Sequence, residues 1–160
     1  MNTLLLKPTK NEGRPAIALA QLKKHIRNLI TLEATDAPLV SCYVNLEPGT
    51  PESGATDYQH VLSERVALLR KSMTGVRRTL MNEAWGLIDA YLAGELKSDS
   101  KGAAIFARGG ARQFFLPLQF QVPLPNWVAV DAIPNVYRLV ELGGVGCLLR
   151  YQSQDCIGQT

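Results

Sequence analysis

The sequence predicts an α/β protein, α+β-like in character, in which about four mostly antiparallel strands pack with three or four helices. Residues 102–118 contain two short apolar runs around a glycine turn, which is the pattern of a β-hairpin and therefore of antiparallel pairing. These strands follow a pair of helices as a group, which favours segregated over alternating elements. A chain of 160 residues with 46% apolar composition is large enough for one domain with a core.

Three segments are predicted along the chain. Residues 1–15 contain prolines and a glycine among polar residues and are expected to be a flexible lead-in. Residues 16–144 form the single α/β domain. Residues 145–160 begin with a short apolar run that could be a stub strand, and they continue as a polar tail that we expect to fray.

The first half of the domain reads as a helix, a strand and a helix pair. Apolar residues recur at helical spacing from Ala16 onwards, and the run 39–46 is a short apolar segment typical of a buried strand. A loop over 47–54 and a capping box at Thr56 precede the pair, which Gly75 interrupts. We expect an antiparallel helix hairpin, with one long kinked helix as the alternative. The inward residues of its second helix are predicted to be Val76, Leu80, Ala84, Leu87, Ile88 and Tyr91.

The second half of the domain changes to the period of strands. Strands are predicted over 102–107, 112–118 and 127–130, with a tight turn at Gly109–Gly110. Pro134 then starts a short helix.

Composition indicates an intracellular protein. Its net charge of +3 permits binding to nucleic acid without requiring it. The cysteines fit neither a zinc site nor a disulfide framework, so we expect reduced thiols and a cytoplasmic location. The N-terminus does not resemble a signal peptide, and no apolar stretch is long enough for a membrane span, so no membrane partner is expected.

No motif predicts an active site, a metal site or a cofactor. The two histidines, His25 and His60, lack other ligands at metal-binding spacing, and the helical carboxylates resemble surface charge. Phosphate-loop and dinucleotide-binding fingerprints are absent from the sequence. We therefore expect a protein that is not an enzyme, although a hydrolase assembled from residues distant in sequence remains an open alternative.

Basic residues form the one clustered feature. Two groups on neighbouring helices could neutralise phosphates and supply salt-sensitive affinity for nucleic acid. The same pattern is also that of the solvated polar faces of amphipathic helices. The candidate nucleic-acid-binding residues are Lys23, Lys24, Arg27, Arg65, Arg70, Lys71, Arg77 and Arg78.

The order of segments resembles bacterial proteins related to the archaeal and eukaryotic peptide-chain release factors. The resemblance covers about residues 38–142 and is carried by the strand and loop at 40–48, the segment 101–107, the Leu-Pro-like run 120–125 and the proline-led helix at 134–140. It implies an N-terminal α/β domain that acts at the ribosome in termination or rescue. The implied partners are ribosomal or transfer RNA and the ribosome.

Three departures limit what this resemblance implies. The catalytic Gly-Gly-Gln of the family is absent, since Gly109–Gly110 precedes Ala111, and the codon-reading Asn-Ile-Lys-Ser is absent too. The family's second domain, of ribonuclease-H-like fold, is also missing from this sequence, so no catalytic residue is carried over. A second hypothesis is a protein-interaction domain that forms a homo-oligomer or binds another chain through an exposed strand near its C-terminal end.

Overall fold

The computed structural model describes residues 4–5, 19–47 and 58–142. Five strands and four helices occur in these ranges. In chain order they are β1 (Leu4–Leu5), α1 (Leu19–Ile30), β2 (Leu39–Asn45), α2 (Tyr58–Lys71), α3 (Gly75–Gly94), β3 (Gly102–Arg108), β4 (Phe114–Phe120), β5 (Trp127–Asp131) and α4 (Tyr137–Leu142).

All five strands form one sheet in the order β1-β4-β3-β2-β5. The pairs β2–β3, β2–β5 and β3–β4 are antiparallel, so the predicted fold class is confirmed. The two-residue β1 pairs parallel to β4 and lies within the segment predicted to be a flexible lead-in, where no strand was expected. The predicted stub strand and polar tail at 145–160 lie outside the described residues.

One layer of helices covers the sheet on the side of Leu39 and Tyr43. Helices α1 and α4 supply Leu22, Ile26 and Leu139 to this cluster, which also contains the buried ring of Phe106. The ring of Phe106 meets that of Tyr43 edge to face, with 6.0 Å between centroids. This side of the sheet therefore has its own core.

The other layer is the α2–α3 hairpin. It packs on the opposite side of the sheet, because alternate residues of a strand point to opposite faces. Its apolar cluster includes Leu62 and Val66 from α2, Met81 and Ile88 from α3, and Cys42 from β2. The predicted antiparallel hairpin is thus found, with its turn at 72–74.

The two hairpin helices run in opposite directions. A small cleft brings the start of α2, at Tyr58 and Leu62, against the end of α3, at Trp85 and Leu92. The prediction that Val76 faces inward is wrong, since this side chain is 73% exposed. It lies in the first turn of α3, where residues 75–79 are all exposed, so this turn extends beyond the packed part of the helix.

A buried glutamine joins β4 to the loop that follows α3. Gln119 is fully buried, and its Oε1 accepts hydrogen bonds from the Lys97 amide at 2.9 Å and the Ser100 hydroxyl at 2.5 Å. Its Nε2 donates to the Tyr91 hydroxyl at 2.5 Å and to the Glu95 carbonyl at 3.1 Å. The amide therefore uses its full capacity of two donors and two accepted bonds.

Within the described ranges, no helix is both long enough and apolar enough to cross a membrane.

Candidate nucleic-acid interface

Four of the predicted cations meet at the junction of α2 and α3. Arg70 and Lys71 end α2, and Arg77 and Arg78 lie in the first turn of α3. Only the turn at 72–74 separates the two helices, so the four side chains share one end of the hairpin. We call these residues the junction cations.

Local backbone conformation makes this junction tight. Gly75 has a φ of +60°, in the left-handed region that glycine adopts without steric cost. Thr74 caps α3 in an extended conformation, and its side chain makes no capping hydrogen bond. The first turn of α3 also contains no acidic residue, so no side chain there offsets the positive end of the helix dipole.

The junction cations form no ion pair with any residue in the described part of the chain. Arg70 is held in place, because its Nε donates to Asn82 Oδ1 at 2.6 Å. Lys71, Arg77 and Arg78 are exposed. The junction is therefore a positive surface that is open to an anionic ligand.

Arg65 lies elsewhere, at the edge of the sheet. Its Nε donates to the Val128 carbonyl at 3.1 Å, and its guanidinium carbon lies 4.1 Å from the centroid of the Trp127 ring. Since β5 lies at one edge of the sheet, this arginine covers one of the outward carbonyls of β5 and stacks on its first side chain.

The second predicted group belongs to the opposite layer. Lys24 and Arg27 are exposed on α1 and Lys23 is half-buried, and the sheet separates all three from the junction cations. Burial lowers the pKa of His25, and the positive charge of the neighbouring Lys24 lowers it further, which favours the neutral imidazole at pH 7. The structure therefore does not bring the two basic groups to one surface.

The histidine of α2 and the cysteine of β2 lie in surroundings that do not favour a reactive or metal-binding role. His60 Nε2 lies 3.2 Å from Glu64 Oε2, one turn away on α2, and both side chains are exposed. Complete burial raises the pKa of the Cys42 thiol, which disfavours the reactive thiolate. The described residues contain no group of three or more His, Cys, Asp or Glu side chains placed to hold a metal ion.

The Gly109–Gly110 pair has a packing role. A Cβ added to Gly109 would lie 2.7 Å from Glu83 Cβ and 2.9 Å from the Leu80 carbonyl oxygen, so only glycine lets the β3–β4 turn approach α3 this closely. Gly110 has a φ of +87°, and its amide donates to Glu83 Oε1 at 3.0 Å. This turn is therefore a docking point for α3.

Sequence reasoning missed the aromatic surface beside β5. Trp127 is 42% exposed and Tyr137 is 62% exposed, although the sequence indicated only a strand at 127–130 and a short helix after it. Arg65 and Trp127 are far apart in the chain, so no local pattern could have revealed their contact. The one available signal was that the strand after Asn126 is short and begins with a tryptophan.

The fold is similar to part of a known translation factor. A crystal structure of the archaeal translation termination factor aRF1 matches with a TM-score of 0.58 and 16% sequence identity, over 79% of this chain and 35% of that chain. A structure described as an archaeal protein matches with a TM-score of 0.57 and 17% identity, over 79% of this chain and 36% of that chain. No family model and no curated protein matches the sequence.

These likenesses establish a shared fold. The chain spans about a third of the length of the two structures that it matches.

Proposed function

We propose that this chain is a non-catalytic, N-terminal module of a release-factor-like protein and that it binds RNA at the ribosome. In this proposal it acts in translation termination or in rescue of stalled ribosomes, with ribosomal or transfer RNA as the ligand. The junction cations carry the proposal. They lie on both sides of one short turn and form no ion pair within the described residues.

The physical support for this proposal is that clustered cations at the start of a helix repel one another and the helix dipole unless an anion binds them. Two arginines in the first turn of α3 lie at the positive end of the helix dipole, where cations are unfavourable. Phosphate oxygens would relieve this repulsion and accept hydrogen bonds from the guanidinium groups. The shared fold with a translation termination factor is consistent with an RNA ligand.

The remaining candidates have different roles in this proposal. Arg65 is engaged with Trp127 and does not belong to the junction. Lys23, Lys24 and Arg27 lie on the α1 layer, with the sheet between them and the junction, so this proposal gives them no contact with the RNA and they serve as its control.

The test compares two variants. The junction variant carries Arg70→Ala, Lys71→Ala, Arg77→Ala and Arg78→Ala, and the control variant carries Lys23→Ala, Lys24→Ala and Arg27→Ala on the opposite layer. The dissociation constant for a single-stranded RNA is measured at several concentrations between about 50 and 200 mM salt. Each lost phosphate contact lowers the salt slope by about 0.7, so four contacts predict a decrease of roughly 2.8 for the junction variant.

The control distinguishes a located site from net charge. If the α1 variant loses as much slope per charge as the junction variant, the junction is not the interface. Unaltered binding by the junction variant would also contradict the proposal. Circular dichroism of both variants checks that the fold is intact, which we expect because most of the substituted side chains are exposed.

The alternative function, protein interaction or self-association through a strand at 145–149, involves residues outside the described ranges. It therefore stays a prediction. Its test is the mass of the protein in solution at high concentration, and a strict monomer would contradict self-association.

A further inference from the structure

An open groove lies beside the edge strand β5, on the α4 side of the sheet. Its volume is about 390 Å³, within the range of pockets that bind small ligands. The groove is lined by Tyr43, Trp127, Asn135, Tyr137, Arg138 and Glu141. We call it the aromatic groove.

Two of its rings are exposed to an unusual degree for such large side chains. Trp127 is 42% exposed and Tyr137 is 62% exposed, whereas Tyr43 is buried beneath them. The Tyr43 hydroxyl donates to the Asn135 carbonyl and so ties β2 to the loop before α4. The rings that are free to contact a ligand are therefore those of Trp127 and Tyr137.

Arg65 fixes the tryptophan ring from the other side. Its guanidinium stacks 4.1 Å from the ring centroid while its Nε is held by the Val128 carbonyl at 3.1 Å. Arg65 comes from the α2 layer and the groove lies on the α4 side, so the opposite face of the ring is left for a ligand. A ring held in this way loses little conformational entropy when a ligand stacks on it.

Polar groups at the groove match the edge of a planar heterocycle. Arg138 Nη1 and Glu141 Oε1 form an exposed pair at 3.1 Å, which places donors beside an acceptor. Guanidinium and carboxylate groups both recognise base edges. The Arg138 side chain is 46% exposed, so its remaining guanidinium N–H groups can also donate to a phosphate attached to the bound heterocycle.

We propose that the aromatic groove binds an unpaired nucleobase, stacked on Trp127 and Tyr137, either in single-stranded RNA or in a free nucleotide. This goes beyond the proposed function, because it uses a different layer of the domain and none of the junction cations. Stacking on aromatic side chains is tolerant of base identity, since every base has a π-face.

The experiment monitors Trp127 directly. The chain has two tryptophans, so Trp85→Phe leaves Trp127 as the sole indole fluorophore. Titration with an adenylate hexamer or with AMP is expected to quench this fluorescence, whereas a blunt RNA duplex of equal length is not. If Trp85→Phe impairs folding, anisotropy of a labelled hexamer on the protein with both tryptophans gives the same comparison.

Two substitutions separate base stacking from apolar docking. Tyr137→Leu keeps an apolar side chain and removes the ring, so it should weaken hexamer binding by roughly 5- to 150-fold, the range for losing one stacked base. Ile133→Ser alters the neighbouring apolar groove, where Ile133 is 57% exposed, and should leave the affinity unchanged. Unchanged hexamer affinity for Tyr137→Leu, or weaker binding by Ile133→Ser, would contradict stacking on the Tyr137 ring. Either result would indicate apolar contact with the protein surface instead.

Comparing the affinities of the hexamer and AMP shows whether the bound base belongs to single-stranded RNA or to a free nucleotide. Tighter binding of the hexamer than of AMP assigns the groove to single-stranded RNA, and equal affinities assign it to a free nucleotide. Quenching by the duplex as strong as by the hexamer overturns the proposal, because paired bases cannot stack in the groove. Quenching by AMP that persists in the junction variant would support the groove even if the junction itself binds no RNA.

Discussion

Replacing Gln119 with leucine should destabilise the domain substantially, because it removes the polar centre that closes the loop after α3. The amide is fully buried and makes four hydrogen bonds. Leucine has a similar volume and makes none of them. The Ser100 hydroxyl, which is itself buried, would lose its bond to Gln119.

The magnitude follows from two opposing terms. Each hydrogen bond contributes about 1 kcal/mol net, so four bonds are worth about 4 kcal/mol. Leucine recovers about 1 kcal/mol by burying apolar surface where an amide had been. We therefore expect a loss of about 3 kcal/mol in the free energy of unfolding, which for a chain of this length lowers the melting temperature by roughly 6–12 °C.

The assay is urea unfolding of Gln119→Leu beside a matched control on the same strand end. Gln121 Nε2 also donates a side-chain hydrogen bond, to Asp99 Oδ2 at 2.9 Å, but this bond is exposed. Gln121→Leu should change the free energy of unfolding by less than about 0.5 kcal/mol. A loss below about 1 kcal/mol for Gln119→Leu, or equal losses for both variants, would refute the reasoning.

Two further predictions concern the backbone and the pH. Gly75→Ala should lower the free energy of unfolding by about 1 kcal/mol because of the φ of +60° at this position. Gly86→Ala, within α3, should raise it by about 0.5–1 kcal/mol, because the added Cβ meets nothing within 4 Å. Stabilisation by both substitutions in urea unfolding would contradict the left-handed turn. Burial raises the pKa of Cys42 above its ordinary 9.0 and that of Tyr43 above its ordinary 10.0, so the folded state retains protons that the unfolded chain loses. These two groups therefore leave the free energy of unfolding unchanged below about pH 9.0 and lower it above that pH, and Cys42→Ala should delay the fall to about pH 10.0; an alkaline pH profile unchanged by that substitution would show that the thiol does not contribute.

The layers of this fold follow closely from local patterns. Helical spacing placed Ala84, Ile88 and Tyr91 on the buried face of α3, and the short apolar run at 39–46 became the strand β2. Such patterns report burial because a residue's direction is fixed by the period of its own element. They fail where an element extends past its partner, as at Val76.

The candidate site was only partly predictable, because local patterns do not report contacts between residues that are distant in sequence. Sequence proximity grouped Arg65 with the junction cations, but its position about one and a half turns before them on α2 brings it to Trp127 instead. The polar Gln119 stands between two apolar residues of β4, and alternation alone suggests an exposed side chain. Its burial depends on the loop after α3 closing over it, and that contact spans 22 residues to Lys97.

The arginines of this chain separate into those that the fold uses and those that it does not. Arg108 is buried and donates to the Glu33 carbonyl at 3.0 Å, and Arg112 pairs with the Glu33 carboxylate at 3.2 Å, so both fix the loop before β2 to the β3–β4 turn. Arg77 and Arg78 are exposed, lie at the unfavourable end of a helix dipole and pair with no acid among the described residues. The fold would be no less stable without these two charges, and that is why their surface, rather than the better-connected arginines, is the place to seek an anionic ligand.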